Sequence, residues 1–354
     1  MTSTRRRWKR PGERRRRGVA ALGALALAVG CAGPPAGAPP VPSPSDAALV
    51  VPAGPVCSEQ TGATVVSFAD ANLEHAIRMA LGEGAKEALT CAALSRLTSL
   101  HAPDARIQDL SGIENVVGLT ELYIYGNNSI RDITPLSYLP ALADLNLARN
   151  DIADVGPLAA IHTLTSLDLT GNPITDIAPI GRLTALTRLR IGHGAELADL
   201  GALRTLAGLT RLELDANGIV DLRPLALLSQ LTRLSLQDNE HLSDLGPVSH
   251  LRNLEVLSVG GTAVADLSAL GGLSRLTTLD LAGTRVHDLG PLLGLADLAR
   301  LDLTGNMQLS DVQPLLFHTS FGAGDAIRLE RTGVSCTDVA ALETRGVTVV
   351  SGCR

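Results

Sequence analysis

The sequence predicts an α/β repeat solenoid, a horseshoe or arc of about ten to eleven turns. A parallel β-sheet lines its concave face, short 3-10 or helical turns line its convex face, and a helix caps its N-terminal end. Three observations predict it. From Leu97 to Leu298 an apolar frame restarts every 22 or 23 residues. In each copy two leucines alternate with a polar residue, the period of a half-buried strand. The 354-residue chain is 45% hydrophobic but only 2% aromatic, so its core must be built in small layers of Leu, Ala, Val and Ile.

The frame restarts at Leu97, Leu119, Leu142, Leu164, Leu186, Leu209, Leu231, Leu254, Leu276 and Leu298. Leu142-Ala-Asp-Leu145-Asn-Leu147-Ala-Arg-Asn150 is one copy, and Leu164-Thr-Ser-Leu167-Asp-Leu169-Thr-Gly-Asn172 is the next. This is the L-x-x-L-x-L-x-x-N pattern of leucine-rich repeats. One turn cannot bury its own leucines, whereas stacked turns bury them in a continuous core. An asparagine column (Asn127, Asn150, Asn172, Asn217, Asn239, Asn306) marks the bend after the strand. Its amides suit backbone groups that the bend removes from water. Thr262, Thr284 and Thr332 replace Asn late in the chain and Gly194 replaces it once, so those rungs are expected to be looser. An aspartate column (Asp109, Asp132, Asp154, Asp176, Asp199, Asp221, Asp244, Asp266, Asp288, Asp311) precedes the convex turns. Each Asp stands before an apolar residue and usually a Pro-Leu pair, which points to helix-turn capping rather than to a ladder of calcium ligands.

The N-terminus has a separate role. Nine of the 30 basic residues lie in the first 17 positions, and Gly18 to Val29 is apolar. A basic start, an apolar middle and small residues at the end describe a secretory signal over residues 1–30. The apolar run is too short for a stable membrane span. Ala28-Val29-Gly30-Cys31 resembles the bacterial lipobox, with its leucine one place early at Leu27, which implies acylation of Cys31. Residues 32–56 hold eight prolines, so 31–56 is expected to be a stiff, extended tether from a membrane anchor.

Residues 57–96 depart from the repeat. Asp70 to Leu81 predicts an amphipathic helix capped by Asp70, with Leu73, Ile77, Ala80 and Leu81 on one face. Ser67-Phe68-Ala69-Asp70-Ala71-Asn72-Leu73 resembles the helical cap of the internalin family, Ile107-Gln-Asp109-Leu-Ser-Gly112-Ile113-Glu114 its entry repeat, and Asp132-Ile-Thr-Pro135-Leu136 its later repeats. That resemblance covers roughly residues 64–318. It implies a protein that grips another protein with its concave face, although no immunoglobulin-like domain follows the repeats. The repeats run over 97–323, and 324–354 is expected to form a degenerate last repeat and a C-terminal cap. Eleven turns at about 4.8 Å separate the ends by roughly 50 Å, while a disulfide spans Cα atoms about 7 Å apart at most. Only Cys57–Cys91 and Cys336–Cys353 are then feasible, one at each cap.

Composition narrows the function. Without its leader the chain carries 21 basic and 35 acidic residues, a balance of −14 against −6 for the whole. An acidic body argues against nucleic acid, and so few aromatics argue against stacking platforms. No metal-ligand spacing, phosphate loop or nucleophile motif appears, so neither cofactor, metal nor enzymatic activity is expected. The outward strand positions carry Arg188, Arg211 and Arg233 on three successive rungs, with Arg190 and Glu213 beside them, and Tyr123 and Tyr125 stand nearer the N-terminal end. Arginine forks suit carboxylates, and exposed tyrosines anchor partners. The expected protein is monomeric and lipid-anchored in the cell envelope, at the outer membrane or cell surface. There it binds a protein or another cell-surface macromolecule. The alternatives are a structural envelope lipoprotein without a ligand and a phosphatase-regulator-like repeat protein.

The anchor is testable directly. Cys31→Ser should move the protein from the detergent phase to the soluble fraction in phase partitioning; unchanged partitioning would count against acylation.

Overall fold

The computed structural model describes Cys57, residues 62–84 and residues 87–353. The signal segment, Cys31 and the proline-rich stretch through residue 56 lie outside the described residues. The chain divides into units Met1–Val51 and Pro52–Arg354, and every described element belongs to the second.

Twelve strands of three residues form one parallel sheet in sequence order: β1 Ser99–His101, β2 Glu121–Tyr123, β3 Asp144–Asn146, β4 Ser166–Asp168, β5 Arg188–Arg190, β6 Arg211–Glu213, β7 Arg233–Ser235, β8 Val256–Ser258, β9 Thr278–Asp280, β10 Arg300–Asp302, β11 Ala326–Arg328 and β12 Thr348–Val350. The central residue of each strand faces the core, and Leu122, Leu145, Leu167 and Leu189 pair in unbroken register. Each of those four is at most 1% exposed. The residues on either side of it face away from the core. Five-residue 3-10 turns such as Thr134–Tyr138 and Gly246–His250 close most rungs on the far side. The sheet has one strand more than the ten to eleven expected turns. Val347-Thr348-Val349-Val350 supplies β12 without any of the leucines that mark the other rungs.

The asparagine amides tie each turn to the one before it. Asn239 Nδ2 donates to the carbonyl of Leu236 in its own rung (2.8 Å) and to that of Leu214 one rung back (3.0 Å). Its Oδ1 accepts the Ile219 N–H at 3.1 Å. Asn172 makes the same three bonds to Leu169, Leu147 and Ile152, and Asn127 to Ile124, Ala102 and Ile107. Asn306 repeats them with Leu303, Leu281 and Val286. Asn217 follows suit from a half-buried position, and Asn150 makes the two donor bonds. The threonine hydroxyls at Thr262, Thr284 and Thr332 reach the carbonyl of their own rung, at Val259, Leu281 and Leu329. Thr284 Oγ1 also meets Asn306 Oδ1 of the following rung at 2.8 Å, but none reaches a carbonyl of the rung before. A hydroxyl is too short to bridge back to the preceding turn.

All ten column aspartates accept, through Oδ1, the N–H two residues on at 2.7–2.9 Å. Asp109 stands three residues before its cap position, Gly112; each of the other nine stands one residue before the helical cap position itself. That position holds an apolar side chain, Ile133 or Val155 for example, which is buried. Because the core claims that side chain, the capping carboxylate steps back one residue.

Helix α1, Ala71–Leu81, closes the N-terminal end. Asp70 Oδ1 accepts from Asn72 and Leu73, and its Oδ2 from Gln108 and Asp109, so one carboxylate both caps the helix and docks it on the first repeat. Leu73 and Ile77 are fully buried, Leu81 is half-buried and Ala80 is exposed. The buried stripe follows i, i+4, i+8 and leaves Ala80 on its solvent flank, outside the face read from the sequence. Gly112 (φ 104°) lets Phe68 approach, since a Cβ there would lie 2.6 Å from the Phe68 ring. Helix α2, Cys91–Leu94, follows, and a disulfide joins Cys57 to Cys91. At the other end helix α3, Gln313–Phe317, and helix α4, Cys336–Thr344, cover the last turns, and a second disulfide joins Cys336 to Cys353. The Arg345 guanidinium gathers the carbonyls of Leu316, His318 and Phe321 under α4.

Asn239→Ala strands two carbonyls and one N–H in the core and is expected to cost about 3 kcal/mol or more. Asp244→Ala, on the exposed side of the same rung, should cost only about 1 kcal/mol. Chemical denaturation of both variants checks the ranking; equal losses would contradict the bridging role of Asn239.

Candidate functional site: the concave face

The outward strand residues form two columns, one before and one after each central leucine. In the first, register places Arg211 between Arg188 and Arg233 on adjacent strands. In the second, Arg190 pairs with Glu213 across β5 and β6 and with Asp168 across β4 and β5. All four arginines are exposed. Like charges opposite one another on a sheet repel, so what neutralises them decides what the face can do.

The ladder divides into two halves. Arg188 reaches back two rungs to Asp144, Nη2 to Oδ2 at 2.9 Å, and Nε donates to Ser166 Oγ at 3.2 Å. Arg190 grips Glu213 with two nitrogens, at 2.9 and 3.0 Å, and lies 3.8 Å from Asp168. The side chains of Arg211 and Arg233 have neither an ion pair nor a hydrogen bond among the described residues. The nearby Asp215 carboxylate is already engaged, accepting from Ser235 Oγ at 2.6 Å and the Gln237 N–H at 2.8 Å. Two neighbouring guanidinium groups therefore stand in solvent with their forks open.

Two hollows lie on the same face, the first reaching Arg211 and neither reaching Arg233. The first, about 330 Å³, is lined by Tyr123, Asp144, Asp168, Arg188, Arg190, Arg211 and Glu213 among others. The second, about 380 Å³, takes in Tyr125, Arg149, His193 and Asp215 and shares Asp168, Arg190 and Glu213 with the first. The structure thus brings together five of the residues picked out in the sequence: Tyr123, Arg188, Arg190, Arg211 and Glu213. It sets Tyr125 in the adjoining hollow, and Arg233 one rung beyond Arg211. Burial, and after it the Asp144 carboxylate, pushes the Tyr123 phenol above its ordinary pKa, so Tyr123 stays neutral at physiological pH.

A leucine-rich-repeat family model matches residues 160–177. No curated protein sequence matches the chain. Among solved structures, an internalin, InlF, from Listeria monocytogenes is 26% identical, with 81% of this chain and 90% of that one covered and a TM-score of 0.68. In fold and repeat, the chain is similar to the internalins. The functional domain of InlJ from Listeria monocytogenes, which includes a cysteine ladder, is 22% identical over 83% of this chain and 73% of that one, with a TM-score of 0.56. A leucine-rich-repeat protein of Leptospira interrogans is 16% identical over 69% and 81%, at 0.50. These last two likenesses concern the fold alone. The four cysteines of the described residues form cap disulfides, not a ladder along the repeats.

Several polar groups on this internalin-like face escape a reading by residue type. Ser99 Oγ, His101 Nε2 and Glu121 Oε2 gather on β1 and β2 at 3.1, 3.2 and 3.9 Å, and His101 stacks on Tyr123 with ring centroids 4.5 Å apart. Serine and glutamate both approach Nε2, so no carboxylate orients the opposite ring nitrogen as a nucleophile relay requires. Among the described residues no cluster of three or more His, Cys, Asp or Glu is arranged to hold a metal ion. Toward the C-terminal end Asp280 and Asp302 are neighbours in register. Burial, joined by the Asp302 charge, holds the Asp280 carboxyl above its usual pKa despite hydrogen bonds from Ala282 and Gln237.

A raised folded-state pKa means that the folded protein binds this proton more tightly than the unfolded chain does. Asp280 therefore destabilises the fold above its folded pKa, and the penalty fades as pH falls through that value. Asp280→Asn is expected to raise stability at pH 7 and to change little near about pH 3, where an unfolded-chain carboxyl is also protonated. Denaturation at the two pH values checks this, and an equal effect at both would contradict it.

Proposed function

We propose that the chain is an extracytoplasmic, lipid-anchored leucine-rich-repeat protein whose concave face docks an acidic macromolecular partner. The observation that carries the reading is the open pair Arg211 and Arg233. Arg188 and Arg190 are paired within the protein, yet Arg211 and Arg233 stand side by side with no ion pair among the described residues. In a chain of net charge −6, acidic side chains are abundant, and two uncompensated arginines on adjacent rungs suit an external carboxylate. Arginine offers the carboxylate a planar two-pronged donor, and the hollows beside Tyr123 and Tyr125 give a partner surface to enter.

Several features support the location. Disulfides persist in oxidising compartments, and both caps carry one. Among the described residues no helix is long and apolar enough to cross a membrane, and the lipobox-like run Ala28-Val29-Gly30-Cys31 supports attachment through Cys31. The domain order is then signal, anchor and tether, helical cap at 57–96, repeats at 97–323 and C-terminal cap at 324–354. The chain acts as a binding protein rather than a catalyst, and Asn127 and its column serve only the scaffold.

Polyglutamate is a suitable probe, with the full-length protein at low ionic strength. Arg211→Glu should weaken its binding by about ten-fold or more, because attraction is replaced by repulsion. Thr278→Glu, on the same outward column three rungs away, should weaken it only about two-fold, and added salt should weaken binding to the wild type. Equal binding by the two variants would leave the ladder as a solvent face of a structural protein.

A further inference from the structure

The partner's conformation follows from how the face is built, given the reading that Arg211 and Arg233 receive carboxylates. Both strands that carry them, β6 and β7, have a parallel neighbour on each side, so their backbone groups are spent in the ladder. An extended segment laid on this face would bring its own N–H and C=O groups with no main chain to meet them. The floor beside the two arginines offers little instead. Ser235 Oγ is already donated to Asp215, and the rungs beyond present Ser258 and Gly260. A helix meets its backbone bonds internally and presents side chains only.

Spacing points the same way. Adjacent strands lie about 4.8 Å apart, which sets the step between Arg211 and Arg233. On a helix, side chains three or four residues apart have Cβ atoms about 5–6 Å apart. In an extended chain, successive side chains on one face lie about 6.6 Å apart. From Arg211 on β6 to Tyr123 on β2 is four rungs, about 19 Å, or about 13 residues of helix.

We infer that the occupant of the concave face is an acidic α-helix of about four turns lying across β2 to β7. Two of its carboxylates, three or four residues apart, meet Arg211 and Arg233, and its other end rests against Tyr123. The floor between these two contacts is made of Arg188 and Arg190 together with Asp144, Asp168 and Glu213, the acids they meet, so the helix needs its carboxylates only at the β6–β7 end.

Three peptides of about 18 residues test this against full-length protein by fluorescence anisotropy. The first is a stapled helix with glutamates at i and i+4. The second is the same helix with glutamates at i and i+2, which face apart. The third is an extended, threonine-rich peptide with glutamates at i and i+2. The first should bind about ten-fold tighter than either other, and the preference should vanish in the Arg211→Glu/Arg233→Glu variant. The i, i+4 helix rebuilt with lysines should then bind that variant, which shows that the variant is folded. Equal binding of all three acidic peptides would overturn the helix while leaving an acidic partner in place. Wild type and variant binding all three alike would overturn the underlying reading as well. Preference for a single-stranded oligonucleotide over the stapled helix would overturn the helix in favour of a phosphate backbone.

Discussion

Each 22- or 23-residue turn of this chain is unable to bury its own leucines, and the structure depends on how one turn is fastened to the next. The strand ladder fastens them on one side. Behind it the buried amides of Asn172, Asn239 and Asn306 do so again, each joining two carbonyls of successive rungs and taking an N–H from the turn before. A bend that leaves three backbone groups away from water is stable only if one side chain serves both donor and acceptor roles at the right length. Asparagine does; threonine reaches one carbonyl; glycine reaches none. The convex aspartates are a lighter version of the same solution, with one carboxylate oxygen for one N–H at the start of each turn.

Because these bonds lie behind and beside the sheet, the outward strand positions are released from structural duty. Their side chains point away from the leucine column and can vary from rung to rung. The face accordingly changes character along its length: acids and a stacked His101–Tyr123 pair first, paired arginines next, open arginines at β6 and β7, then the half-buried Asp280 beside Asp302. The two ends are handled differently. Asp70 joins α1 to the first repeat through four backbone N–H groups, and these outweigh the effect of burial, holding its pKa low. Arg345 and the Cys336–Cys353 bridge draw α4 down on the last strands.

The period, the alternating leucines and the two polar columns were legible in the sequence because each repeats, and repetition separates a structural requirement from accident. The strand register followed from the same frame, so the arginine ladder could be placed before any coordinates. Which arginines are paired could not. Arg188 meets Asp144, 44 residues earlier, a contact set by side-chain reach across two rungs rather than by neighbouring sequence. The grouping of Ser99, His101 and Glu121 escaped notice because nothing repeats it on later rungs, although Ser99 and Glu121 are register partners. Strand β12 was hidden because valines replace its leucines, and Ala80 was misplaced because a helical stripe fixes a face only to within one flank. The aspartate column was found by type, but its offset of one residue from the cap depends on the neighbouring side chain being buried in the core.

The account stands on Arg211 and Arg233 being carried for a partner at a small cost to the fold. The most direct measurement is the stability of Arg211→Ala against wild type from low to high ionic strength. Removing one of two stacked like charges should leave the protein as stable as before or a few tenths of a kcal/mol more stable at low salt. The difference should shrink as salt screens the pair. A clear loss of stability in Arg211→Ala, undiminished by salt, would show that the arginine holds the rungs together and would contradict a face kept open for binding.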